Sequence, residues 1–151
     1  MKKVLVVCLI FFIAAGTFAQ NATSTGLTDK DVKSFCKNID KISSEMGKLG
    51  INLFDTDNIS NAENEKEKAN IILNKYGISG NNAFDKILTI AFGYGLESYY
   101  VSLENDPESV KDMKDIGFDP SAFFQSLISD SDFQVVKRHF PELKELFDKE
   151  Q

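Results

Sequence analysis

Cys36 and His139 carry the side chains with the widest chemical range in this chain. A cysteine attacks or exchanges electrons as the thiolate, which needs a cation or a helix N-terminus beside it. Cys36 instead sits in the middle of an apolar stripe, with Val32 and Ile39 beside it at helical spacing, so it reads as a small buried hydrophobe. His139 is the one histidine and follows Lys137-Arg138. A general base needs a nucleophile and an orienting group within reach, and a metal site needs further ligands. Alone among like charges, His139 reads as the end of a basic cluster that complements the negative end of a helix and bonds its free carbonyls. Catalysis by His139 or by a pair of carboxylates is therefore the weakest functional reading, and no catalytic residue is assigned.

Asp55-Thr56-Asp57-Asn58 begins like a calcium-binding loop. Ser60 then stands where such a loop needs glycine, and Lys66 where it needs a bidentate glutamate. The stretch reads as a solvated loop. No nucleophile elbow, phosphate loop, dinucleotide fingerprint or zinc-protease motif occurs. The expectation is no metal and no cofactor.

Two other patterns suit binding. Lys30, Lys33, Lys37, Lys41 and Lys48 fall within roughly 80° of one helical face, opposite its apolar side. Lys33, Lys37 and Lys41 are like charges four residues apart, which costs a helix about 0.2–0.5 kcal/mol per pair. Such a strip suits an acidic partner or anionic lipid head groups. As a plain solvated face it would be muted by Asp29, Asp40 and Glu45. Lys33, Lys37 and Lys41 are the partner-binding candidates. The second pattern is Phe92, Gly93, Tyr94, Gly95 and Tyr99, with Tyr100, Phe123, Phe124, Phe133 and Phe140 further on. Glycines among rings leave room for a small apolar ligand or lipid. Equally, the rings fill a helical core by themselves.

The element that must position these residues is Asn82–Leu103. From Ile87 through Leu96 it carries no charge, yet the run is half of the roughly 20 apolar residues needed to cross a bilayer. A helix buried in the core fits that length. The β-branched and aromatic residues flanking Gly93-Tyr94-Gly95 also allow a β-hairpin. The helix is preferred, because a lone hairpin is marginal in water and every neighbouring segment has helical spacing. Gly93 and Gly95 each weaken a helix by about 1 kcal/mol relative to alanine, so close packing or a kink has to offset them.

Thr28–Leu49 is the clearest helix. Thr28 caps it, Asp29 and Asp31 suit its positive end, and Gly50 stops it. Val32, Phe35, Cys36, Ile39, Ile42, Met46 and Leu49 form its apolar face. Residues 51–61 read as a loop and 62–76 as a helix stopped by Gly77. Asp106-Pro107 and Asp119-Pro120 each pair a capping residue with proline in the first turn, starting helices at 107–115 and 120–128. Helices at 132–139 and 141–149 close the chain.

Composition limits the rest. Met1-Lys2-Lys3, the apolar run Val4–Ala15 and Thr17-Phe18-Ala19 make a secretory signal peptide, cleaved after Ala19. Its removal takes Lys2 and Lys3 and no acid, so the formal charge goes from −6 to −8. A chain that acidic is a poor binder of nucleic acid, whose affinity rests on cations meeting phosphate. Cys8 leaves with the signal, so the remaining Cys36 has no intramolecular partner. The expected architecture is all-α: a small single-domain helical bundle with a buried central helix. Residues 1–19 are the signal peptide, 20–27 a disordered leader and 28–151 the helical domain. The expected function is that of an exported protein, periplasmic or secreted, acting by non-catalytic contact with an unknown protein partner. The alternative is a binding protein for a small apolar ligand or lipid held around the central helix. Nucleic acid is not an expected partner, and membrane contact is at most peripheral.

Overall fold

The computed structural model describes residues 22–53, 59–108 and 120–149, with only the backbone course given for 59–64. The signal segment, the calcium-like stretch Asp55–Asn58 and most of the helix expected at 107–115 lie outside these. The described residues are all-helical and contain no strand. Among the described residues six helices follow in order: α1 (Asp29–Gly47), α2 (Ile59–Lys75), α3 (Ala83–Asn105), α4 (Pro120–Leu127), α5 (Asp130–Arg138) and α6 (Phe140–Lys149).

Local chemistry explains the ends. The Thr28 hydroxyl accepts from the Asp31 N–H at 3.2 Å, and the Asp31 carboxylate accepts from the Thr28 N–H at 3.0 Å. This reciprocal box satisfies two donors that a helix start leaves open. Gly50 and Gly77 sit at φ +74° and +87°, in the left-handed region. After each, an N–H turns back to a carbonyl five residues earlier, Ile51 to Met46 and Ile78 to Leu73, both at 3.0 Å. Ile51 and Ile78 are buried, as this type of helix stop favours. Pro120 occupies the first position of α4, where its missing N–H costs no hydrogen bond.

The stretch read as either helix or hairpin is one helix of 23 residues, α3, which packs against each of the other five described helices. Phe84, Ile87, Ile90, Leu96 and Tyr99 are buried on several of its sides. Gly93 and Gly95 mark close approaches. A Cβ on Gly93 would lie 2.8–2.9 Å from Val136 of α5, and one on Gly95 would lie 2.8 Å from the Phe124 ring of α4. Helix packing at those two points is what offsets their poor propensity.

The leader differs from expectation. Residues 22–28 lead into α1 without regular structure, turning at Gly26 (φ +68°), and Ser24, Thr25 and Leu27 are fastened to the buried carboxylate of Asp132 at the start of α5. Asn82 holds the Thr25 carbonyl at 2.8 Å, and Leu27 is buried in the core. Small polar residues look like a disordered leader in isolation. They become ordered where a buried carboxylate needs donors, because an unmatched buried charge is costly.

No described helix is long and apolar enough to cross a membrane.

Candidate functional site

α1 presents two opposite faces. Val32, Phe35, Ile39, Ile42 and Met46 are fully buried. On the other side Lys30, Lys33, Lys37, Lys41 and the capping Lys48 are all exposed. Over this length the row spans about 27 Å, with Lys33, Lys37 and Lys41 about 6 Å apart. None of the five forms an ion pair among the described residues. Every other described lysine and the arginine does form one, namely Lys66, Lys68, Lys75, Lys86, Lys137, Arg138, Lys144 and Lys149. The unmatched positive charge of the described chain is therefore gathered on one helix face.

The tertiary structure also changes the acids that were expected to mute this strip. Asp29 accepts from the Arg138 guanidinium at 3.1 and 3.2 Å and contacts a His139 ring nitrogen at 2.9 Å. The Arg138 hydrogen bond, followed by that of His139, lowers the Asp29 carboxyl from 3.8 to about 2. Glu45 accepts from Lys75 and from the Tyr76 hydroxyl, both at 2.6 Å, and these bonds hold it below the ordinary carboxylate range. Both carboxylates are thus matched by groups from α2 and from the α5–α6 junction. Of the three muting acids, Asp40 alone forms no ion pair or hydrogen bond among the described residues, and Arg138 and Lys75 lie beside Asp29 and Glu45.

His139 lies at the C-terminal end of α5 and is buried. Its ring meets carboxylates on both sides, Asp29 at 2.9 Å and Glu142 at 3.4 Å, and not the helix carbonyls that the sequence suggested. A base poised against a nucleophile needs one ring nitrogen turned to it. Here both nitrogens brace the junction of α5, α6 and the start of α1. Cys36 is half-buried, and burial, with Glu142 adding to it, pushes the thiol up to about 11. At neutral pH it stays protonated, so it is unsuited to attack.

Gly93, Tyr94 and Gly95 meet residues of three different helices. Successive helical residues point about 100° apart. Gly93 accordingly faces Val136 of α5, and Gly95 faces Phe124 of α4. Tyr94 stacks on Phe140 at 5.5 Å and lies 4.5 Å from Phe147, both of α6. Tyr99 packs beside Tyr100, whose ring meets Phe133 at 6.2 Å. Phe92 is half-buried against the core. The room that the glycines make is occupied by Val136 and Phe124.

Three polar features escaped sequence reading. Lys86 is buried and donates to Asp31 at 3.0 Å and to the Ser79 carbonyl at 2.8 Å. Glu97 is buried beside Lys137 at 3.6 Å. Asp132 receives the N-terminal segment. A signal for the first two was present: Lys86, Ile90, Gly93 and Glu97 recur at helical spacing and are all buried, so both charges lie on a core-facing line. Among the described residues no group of three or more His, Cys, Asp or Glu side chains could hold a metal ion.

No family model, curated protein or solved structure matches this chain, so what the strip does follows from its own chemistry.

Proposed function

We propose that the protein is exported and acts without catalysis, by contact with another protein through the lysine strip of α1. The observation that carries this reading is the segregation of charge. The protein is acidic overall, its other described cations are paired, and five lysines remain unmatched on one face. Spacing like charges four residues apart costs α1 stability, and a partner bearing carboxylates relieves that repulsion on docking. The export part of the reading rests on the basic start, apolar run and small-residue cleavage sequence of residues 1–19.

The test compares the wild type with K33E/K37E/K41E as bait against envelope and medium fractions of the host. The expected result is recovery of a protein by the wild type that the reversed variant loses. The variant must first match the wild type in helical circular dichroism and thermal midpoint. Equal recovery of every protein by both baits would remove the strip from the reading. Export is checked by the N-terminal sequence of the protein recovered outside the cytoplasm, expected to begin at Gln20.

A further inference from the structure

We infer that the occupant of the strip is one face of an acidic helix in the partner protein, with carboxylates repeated every four residues. This rests on the contact reading above and names the chemistry of its partner. Three features of α1 lead to it.

The first is shape. The lysines stand in a single file, narrow around the helix and long along it. A second helix laid alongside has the same rise, so carboxylates four residues apart recur about every 6 Å, in step with Lys33, Lys37 and Lys41. Arg138 and Lys75 are paired with Asp29 and Glu45, which lie on opposite flanks of the row, so the unmatched charge stays in the single file.

The second is what flanks the row. Ser34, Asn38, Ser44 and Gly47 border it together with the acids Asp29, Asp40 and Glu45, and none of these is a large apolar residue. A helix that lies in a membrane surface buries an apolar side in the acyl boundary. The apolar side of α1 is already spent in the protein core, and the strip has nothing to insert.

The third is the charge of everything else. The whole chain carries −6. A flat anionic surface brings the rest of the protein within a screening length of about 10 Å and repels it. A helix about 10 Å across meets the strip and little besides.

The experiment measures binding of the whole protein to defined probes by titration calorimetry at low salt and at about 0.15 M. One probe is an alanine-based helical peptide with glutamate at every fourth position. A second has the same composition with the glutamates spread around the helix. A third is vesicles of phosphatidylglycerol and phosphatidylcholine. The aligned peptide is expected to bind about tenfold more tightly than the dispersed one, with binding weakened by salt, as three or four exposed ion pairs would give. K33Q/K37Q/K41Q should lose about that factor, and K144Q/K149Q, which removes paired lysines of α6, should lose none. Equal binding of the two peptides, binding to vesicles in preference to peptide, or no binding of the aligned peptide would each overturn the inference. If strip-dependent capture of a host protein persists beside such a result, the helical occupant is wrong and the strip stands. If both fail, the contact reading falls as well.

Discussion

Asp132 shows how one side chain can order a stretch of chain. Its two oxygens accept from the Ser24 hydroxyl at 2.9 Å, the Thr25 N–H at 2.7 Å and hydroxyl at 3.2 Å, and the Leu27 N–H at 3.1 Å. With that many donors the buried carboxylate needs no cation. Asp31 solves the same problem with the Thr28 hydroxyl and N–H, the Ser79 N–H and Lys86. Removing one member of a buried pair leaves the other uncompensated, which costs about 3–5 kcal/mol. For Asp132 the expectation concerns the leader. Asp132→Ala should lower stability by about 2–3 kcal/mol, because buried donors lose their acceptor and Leu27 loosens. It should also open residues 22–27 to protease. Urea midpoints and limited proteolysis check this, and an unchanged cleavage pattern would show that the strap is held by something other than Asp132.

At the scale of elements, α3 sets the geometry. Its glycines look like helix weaknesses in sequence but are contact points, where α5 and α4 come within the distance that a Cβ would occupy. Gly93→Ala gains about 1 kcal/mol of helix propensity but collides with the branched end of Val136 close to the α5 backbone. Overpacking of that kind costs about 1–3 kcal/mol, so a net loss of about 1 kcal/mol is expected. Gly95→Ala meets the far edge of the Phe124 ring, which can tilt, and should lose less. Thermal midpoints of the two variants check the order. Caps and stops were the most legible parts of the elements: Thr28, Gly50, Gly77 and Pro120 act through neighbours within a few residues. The hairpin alternative, in contrast, was settled by the packing of five helices around α3, which no local pattern encodes.

At the scale of the whole molecule, charge couples the fold to pH. Arg138 and then His139 lower Asp29 to about 2. Burial pushes Asp31 up, but its hydrogen bonds with Thr28, Lys86 and Ser79 outweigh that and leave it below its ordinary 3.8. A carboxylate whose folded value lies below its unfolded value contributes stability above the unfolded value, and loses it as pH falls through the folded one. The urea midpoint is therefore expected to hold above about pH 4 and to fall between about 4 and 2. Asp29→Asn should flatten the lowest part of that fall. A midpoint level down to about pH 2 in the wild type would remove the Asp29 junction from the account of stability.

The amino-acid order determined by itself that this chain forms helices, where several of them start and stop, and that five lysines share one face of α1. Those properties depend on 3.6-residue periodicity and on side chains bonding to adjacent backbone, both of which are local. Tertiary structure alone decided that the space beside Gly93 and Gly95 is filled, that the leader is fastened to Asp132, and that Asp29 and Glu45 are matched by Arg138 and Lys75. Each of those contacts joins residues 29 to 109 positions apart, and only the packing of helices around α3 brings them within hydrogen-bonding or van der Waals distance.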